Sequence, residues 1–288
     1  MVNWPESLVI ELAARRCILF LGAGSSASAT RQDKPLQHPP GWSEFLRILR
    51  AGSNRGDADD LAKADELLED KQYLDCAEII RSTCLHSADY NRLLGDTFER
   101  YRPTEVHRLT DALDQKIVVT TNFDTLYEDH CRQGDGAHGY SVLRYYDDGL
   151  IARMRSPKRL IVKVHGCVTE PEKTVLSKSD FYRARAEYTG FFKTLESLFL
   201  THTLLFIGYS VTDPDIQLLL ENASITAPSA HPHYALMGSG LHQAIRGAFL
   251  RTFNVEILEF DPANNFEQFG LSLQDLVDRV TELRDLQT

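Results

Sequence analysis

The sequence predicts an α/β protein: a doubly wound, mostly parallel sheet carrying a smaller inserted helical lobe. Three observations predict it. The apolar run Cys17-Ile18-Leu19-Phe20-Leu21 is followed at once by glycine-rich text, the pattern of a buried strand entering a tight turn. From Lys116 onward, short apolar runs alternate with helical periodicities, which implies parallel strands joined by crossover helices. Between these two regions, from Trp42 to about Tyr101, apolar residues recur only at helical spacing. Residues 1–42 and 104–288 are therefore assigned to the α/β part and residues 43–103 to the lobe, which serves either as scaffold or as one wall of a cleft.

Taken in order, Pro5 to Arg16 reads as a short amphipathic helix with Leu8, Ile10, Leu12 and Ala13 on its apolar side. The first strand follows. Gly22-Ala23-Gly24-Ser25-Ser26-Ala27 then fits the G-x-G-x-x-G/A pattern of a phosphate-binding turn. A helix beginning near Ser25 would aim free N–H groups and the positive end of its dipole at an anion. Thr30 to Gly41 contains Lys34-Pro35 and Pro39-Pro40 and is a loop. It either lies over a ligand or merely connects. Ser43 is a candidate cap for a helix carrying Phe45, Leu46 and Leu49. Further helices are expected over Leu61–Leu68, Tyr73–Leu85 and Tyr90–Tyr101.

Strands are expected at Lys116–Thr120, Tyr140–Arg144, Leu160–Val164, Leu204–Ile207, His233–Met237 and Val255–Phe260, each a short apolar or β-branched run. Ser179 to Thr201 reads as one long helix striped by Phe191, Leu195, Leu198 and Phe199, with Asp180 near its start. Asp215–Asn222 and Leu271–Leu283 complete the helices.

Composition narrows the class. The 288 residues are 43% hydrophobic and 25% charged, ordinary for a globular protein able to bury a core without staples. The net charge is −10, from 31 basic and 41 acidic residues. That balance argues against direct binding of nucleic acid, which needs clustered Lys and Arg. Five cysteines, none in a C-x-x-C pair, point to a reducing compartment with no disulfide framework and no zinc site. Trp4-Pro5-Glu6 and Arg15-Arg16 interrupt any signal core, and no run reaches the roughly 18 apolar residues of a membrane span. The expectation is a cytoplasmic protein with no membrane association.

The chemistry-bearing residues gather at strand ends. Ligands of an open parallel sheet bind outside the carboxyl ends of its strands. Here those ends read Gly22-Ala23-Gly24-Ser25, Thr120-Thr121-Asn122-Phe123-Asp124, His165-Gly166 and Gly208-Tyr209-Ser210, the last followed by Thr212-Asp213-Pro214. Each residue also has a structural reading. Asp124 can cap a helix starting at Thr125. Thr212 or Asp213 before Pro214 makes a good N-cap, which is compatible with a ligand role. Asn122 can bond backbone within a turn, and His165 can be a satisfied core histidine.

These four stretches, in this order, resemble the sirtuin family. They are more similar to the sirtuin-like NAD-consuming domains of bacterial anti-phage systems, as are Val175-Leu176-Ser177-Lys178-Ser179-Asp180-Phe181 and Gly208 to Ile216. The resemblance implies a Rossmann-like NAD-binding domain with a smaller helical lobe. It implies that Asn122 and His165 flank the nicotinamide ribose, with His165 as general base or ribose ligand and Asn122 positioning water or ribose. Asp124 would lie near the nicotinamide end as a third catalytic residue. Gly22, Ala23, Gly24, Ser25 and Ser210 would hold the pyrophosphate, with Thr121, Gly208 and Asp213 beside them in the NAD site.

The chain departs from deacetylating sirtuins. Only Cys167 follows the His-Gly, where those enzymes carry two C-x-x-C pairs, and their Gly-Ile-Pro-Asp-Phe-Arg text is missing. Nor does it follow hydride-transfer enzymes, because Glu44, at the spacing of their ribose-binding acid, falls in helical text. The reaction expected from the resemblance is hydrolysis of the nicotinamide–ribose bond of NAD, with no metal. The alternatives are an NAD-dependent protein deacylase and a non-catalytic NAD or ADP-ribose sensor. The resemblance further implies a homo-oligomer and a separate partner protein such as a HerA-type ATPase.

Overall fold

The computed structural model describes residues 1–31, 33–34, 36–133, 139–229 and 231–287. Pro35, one of the prolines that mark residues 30–41 as a loop, lies outside the described residues. Seven strands form one sheet: β1 (Cys17–Leu21), β2 (Ile117–Thr120), β3 (Tyr140–Arg144), β4 (Arg159–Lys163), β5 (Thr203–Ile207), β6 (His233–Gly238) and β7 (Val255–Phe260). Their order is β3-β4-β2-β1-β5-β6-β7, and every pairing is parallel. The fold is α/β and Rossmann-like, as the alternation of strands and helices predicts.

The helices, in chain order, are α1 (Glu6–Ala13), the single turn α2 (Ala23–Ser26), α3 (Trp42–Ala51), α4 (Ala58–Glu69), α5 (Tyr73–Ile79), α6 (Ser87–Phe98), α7 (Glu105–Ala112), α8 (Leu126–Gln133), α9 (Leu150–Arg155), α10 (Lys178–Glu187), α11 (Thr189–Thr201), α12 (Pro214–Thr226), α13 (Gln243–Phe253) and α14 (Ala263–Asp285). A π-helical turn, Ile80–Cys84, continues α5. Strand periodicity sorts the core into two layers. Ile18 and Phe20 of β1 pack with α10, α11 and α12 on one face. Cys17, Leu19 and Leu21 pack with α1, α7 and α14 on the other. A third apolar cluster joins Phe45, Leu46, Leu67, Ile80 and Leu94 of the helical segment to Phe123, Cys167, Val168 and Leu176 at the strand ends.

The structure differs from the sequence reading at several elements. Gly41, with no side-chain bond, precedes α3, so Ser43 is inside the helix rather than its cap. The long helix expected over Ser179–Thr201 is two. Tyr188 leaves helical geometry at φ −116, ψ 38, and its carbonyl accepts from Phe191 and Phe192 to start α11. Ser177, paired with Asp180 in a capping box, starts α10. Three helices, α7, α9 and α13, have no counterpart in the reading. In α7 the buried face includes His107 and Thr110, which breaks the apolar stripe, and α13 has no fully buried residue.

Register does the positioning. Leu21 pairs with Thr120 on one side and Ile207 on the other, and Thr120 pairs with Lys163. The carboxyl ends of β1, β2, β4 and β5 are therefore level. Whatever follows them in sequence emerges along one rim. The chain runs outward from β1 to β2 and on to the edge strand β3, returns to β4 between them, then crosses to β5 on the other side of β1. The crevice of a doubly wound sheet opens at such a reversal, here between β1 and β5.

Beneath that rim, Lys163 is fully buried. Its Nζ lies 2.6 Å from Glu128 Oε1 on α8 and donates to the carbonyl of Asp124. Burial opposes the ammonium charge, but Glu128 foremost, with Cys167 and Asp124, outweighs it and holds the lysine pKa above its ordinary value. Removing one partner leaves a buried unpaired charge. Lys163→Ala is expected to lose about 3–5 kcal/mol of stability in urea denaturation. The volume-keeping pair Lys163→Met with Glu128→Leu is expected to recover most of it.

Candidate active site

The glycine turn is built on close backbone approach. Gly22 N–H donates to Ile207 O at 3.1 Å, prolonging the β1–β5 ladder, and Gly24 N–H donates to Gly208 O at 2.8 Å. A Cβ on Gly24 would lie 2.8 Å from Gly208 Cα. Gly208 itself has φ +62, and its Cβ would lie 2.3 Å from Ser25 N, so neither position admits a side chain. The helix expected to begin near Ser25 is the one turn α2. Gly24 and Ser25 spend their N–H groups inside the protein, Ser25 on Gly22 O at 3.0 Å. The helix dipole expected to face an anion is thus that of a single turn. Ala23 and Gly24 line the cleft; Ser25 is buried behind them, its Oγ donating to Gly22 O at 2.7 Å.

Asn122 stands on the neighbouring strand end. Its N–H donates to Thr120 Oγ1 at 3.0 Å, and its Nδ2 reaches Gly22 O at 3.0 Å and Ser26 Oγ at 3.3 Å. The amide therefore ties the β2 end to the glycine turn while lining the cleft with Thr121. Asp124 is committed to structure. Its Oδ1 accepts from Leu126 N–H at the start of α8, and its Oδ2 from Ser26 Oγ, each at 3.0 Å. Burial foremost raises its pKa, against the pull of Lys163. The capping reading and the rim position hold together for this residue.

His165 follows β4 and is 6% exposed. Its ring meets the Phe181 ring edge-on at 5.0 Å between centroids. Its Nε2 lies 3.2 Å from Oδ2 of Asp213, without the alignment of a hydrogen bond. Burial lowers its pKa and the Asp213 carboxylate partly restores it, so the ring is neutral near pH 7. Asp213 caps α12: its Oδ1 accepts from Asp215 N at 3.0 Å and Ile216 N at 3.3 Å. Ser210 bonds Thr212 through their hydroxyls at 2.8 Å.

A cleft of about 900 Å³ unites these groups. Ala23, Gly24, Thr121, Asn122, Asp124, His165, Gly208, Ser210 and Asp213 all line it; Gly22 and Ser25 support it from behind. Pro39, Pro40 and Gly41 line it too, so the residue 30–41 loop borders the site. The helical segment supplies one apolar wall of the cleft, as one of its two expected roles has it; sequence reasoning did not single out the lining residues Trp42, Phe45, Tyr73, Leu74 and Phe98. No motif marks those residues, and their spacing is that of any helix core. The cleft is of ordinary ligand-pocket size, which runs to about 1,000 Å³. Among the described residues, no group of three or more His, Cys, Asp or Glu side chains is placed to hold a metal ion, and no helix is long and apolar enough to cross a membrane.

Residues 116–258 match the SIR2-like domain family. The chain is 29% identical over 150 residues to the NAD(+) hydrolase ThsA of Enterococcus faecium, covering 51% of this chain and 31% of that protein. It is 27% identical over 229 residues to the NAD(+) hydrolase ThsA of Bacillus cereus, covering 79% and 44%. Over 135 residues it is 30% identical to defense-associated sirtuin 2 of Bacillus subtilis, covering 46% and 13%. The chain thus spans less than half the length of these relatives.

The Gly24–Gly208 approach makes a sharp prediction. Gly208→Ala adds an overlapping Cβ to a left-handed backbone and is expected to lose about 3 kcal/mol or more. Gly149 also has positive φ but nothing within 4 Å of its Cβ position, so Gly149→Ala is expected to lose only about 1 kcal/mol. Thermal or chemical denaturation of the two variants checks the difference.

Proposed function

We propose that this chain, whose residues 116–258 belong to the SIR2-like domain family, hydrolyses the nicotinamide–ribose bond of NAD to nicotinamide and ADP-ribose, as an effector of anti-phage defence. The observation that carries the reading is the meeting of a neutral imidazole, His165, and an amide, Asn122, in one cleft with the Gly22–Gly24 turn. The ThsA relatives, named as NAD(+) hydrolases, support the same substrate.

The chemistry needs little. Nicotinamide leaves as a neutral base from a cationic glycoside, so the transition state is oxocarbenium-like. No covalent protein nucleophile is required. The site must hold the ribose, exclude bulk water and admit one nucleophile. His165 takes a proton from that water or from a ribose hydroxyl, a task suited to an imidazole that is unprotonated at neutral pH. Asn122 orients the acceptor. Ala23, Gly24 and Ser210 border the path of the pyrophosphate, and Gly22, Ser25, Thr121, Gly208 and Asp213 shape or adjoin it. Asp124 holds the rim around the nicotinamide end.

His165→Ala and Asn122→Ala are each expected to lower NAD turnover about 100-fold or more, read by chromatography of the products. Undiminished hydrolysis by both variants overturns the assignment; binding of NAD by the parent with no product identifies a sensor instead. The sign of the pH dependence follows from burial. The folded pKa of His165 is below the ordinary 6.5, so activity persists as pH falls through 6.5 and is lost only when the buried ring protonates. Assembly belongs to the same proposal: a homo-oligomer with a separate partner of the HerA ATPase type. Light scattering with and without a co-expressed partner checks it, and a strictly monomeric, constitutively active protein contradicts it.

A further inference from the structure

We infer that Asp213 is a positioning residue for His165, the two forming a carboxylate–imidazole dyad in which Nε2 faces the carboxylate and Nδ1 is the working base. The inference rests on the reading of this cleft as an NAD-hydrolysing site and assigns within it a role that sequence alone did not. Its observations are geometric. The Nε2 atom is buried with no aligned hydrogen-bond partner, and the nearest carboxylate oxygen is Asp213 Oδ2 at 3.2 Å. The ring lines the cleft, so its other nitrogen is the one presented to a ligand.

Asp213 is fixed for this task. Two backbone N–H groups at the start of α12 hold its Oδ1. That leaves Oδ2 as the free oxygen, aimed at the imidazole. Phe181 packs edge-on against the ring and limits its rotation. A small turn of the ring brings Nε2–H onto Oδ2, and such bonds often tighten only when substrate binds. A carboxylate so placed sets the tautomer and stabilises the imidazolium that forms.

The proton balance is simple. The attacking oxygen bonds to the ribose anomeric carbon as the bond to nicotinamide breaks, with the electron pair leaving on nicotinamide. The proton of that oxygen passes to Nδ1. His165 is then an imidazolium with Nε2–H toward Asp213, and it returns the proton to solvent. Overall, NAD⁺ and water give nicotinamide, ADP-ribose and H⁺.

Other ionisable groups stand on the elements packed around the pair. Asp215 on α12 is bonded to Arg185 of α10 at 2.5 Å, and Tyr209 is buried beside the same loop. Asp180 of α10 is paired with Arg81 at 3.2 Å, and Asp124 lies on the β2 side with Lys163. The charge that acts on His165 is that of Asp213.

The test separates the dyad from the cap. Asparagine and serine cap helices as aspartate does, so Asp213→Asn and Asp213→Ser keep α12 and remove the charge. Protein labelled with ¹⁵N-histidine is titrated by long-range ¹H–¹⁵N spectra, with His165→Gln assigning the signal. The parent is expected to carry its proton on Nε2 at neutral pH. In both Asp213 variants the ring is expected to titrate lower by about one pH unit. Their kcat is expected to fall about tenfold or more with KM within threefold, at an unchanged melting temperature. An Nδ1–H tautomer in the parent, or a titration and kcat that both Asp213 variants leave in place, overturns the inference. A parent that releases no nicotinamide while His165 titrates as expected leaves the dyad standing and sinks the NAD reading.

Discussion

The backbone contact between Gly208 and the Gly22–Gly24 turn is the constraint on which the rest of the site depends. It joins the ends of β1 and β5 across the reversal of the sheet, through the 2.8 Å bond from Gly24 N–H to Gly208 O. Neither partner has room for a side chain. Once Gly208 is left-handed, the chain that follows must be redirected to reach α12. Val211 does this at φ +54, an expensive conformation for a β-branched residue, of order 1–3 kcal/mol. Complete burial of Val211 and a 2.7 Å bond from Gln217 Nε2 to its carbonyl offset that strain. The outcome is Asp213 at the head of α12, opposite His165.

The rim has two layers, and the inner one explains the outer. Polar groups leaving buried strand ends need partners. Thr120 Oγ1 donates to Leu21 O and accepts from Asn122 N–H. Ser25 satisfies Gly22 O, Ser26 satisfies Asp124, and Lys163 neutralises Glu128. Asn122, Asp124 and Asp213 thus each have structural bonds and a place on the cleft at once. Capping and ligand binding are not rivals at such positions. The capped carboxylate is held still, and a second oxygen remains to face the cleft only where the first satisfies the helix, as in Asp213. In Asp124 both oxygens are taken, and its contribution passes through Ser26 and the glycine turn. Charge is unevenly tolerated in this inner layer: burial foremost pushes Asp215 up to about 7, against the pull of Arg185.

The sheet and its rim were legible because both are local. A run such as Leu160-Ile161-Val162 has one comfortable environment, buried between helices, and level strand ends turn four separate sequence stretches into one surface. The length of α2 was not legible. The glycine pattern specifies a turn, and nothing in it requires that a helix continue. The break at Tyr188 depends on how α11 packs on the sheet, which no apolar stripe encodes. The pairing of His165 with Asp213 spans 48 positions and arises from crossover geometry, so the capping signal at Thr212-Asp213-Pro214 and the family resemblance pointed to Asp213 without pointing to its partner. The aromatic wall of Trp42, Tyr73 and Phe98 was hidden for a related reason: core and cleft faces of a helix share one periodicity.

The two walls of the cleft are tied by one face of α5 and its π-helical extension. Asp75 pairs with Lys178 at 2.6 Å, Glu78 accepts from Ser179 N at 2.9 Å and Oγ at 2.8 Å, and Arg81 pairs with Asp180 at 3.2 Å. These residues recur every three positions, so one helical face meets the first turn of α10. The ties grade along that face. Lys178 is exposed and Asp75 half-buried where they line the cleft, and such a pair contributes at most about 1 kcal/mol and weakens with salt. Asp180 is buried, and Arg81 also stacks over Tyr90 at 4.1 Å from the ring centroid. At the root, Phe123, Cys167, Val168 and Leu176 share a core with the helical segment. Separation is therefore cheapest at the Asp75–Lys178 pair and costliest at the shared core beside His165. A wall anchored in this way is held firmly beside His165, while contacts at the opposite end are ones that water and salt compete for.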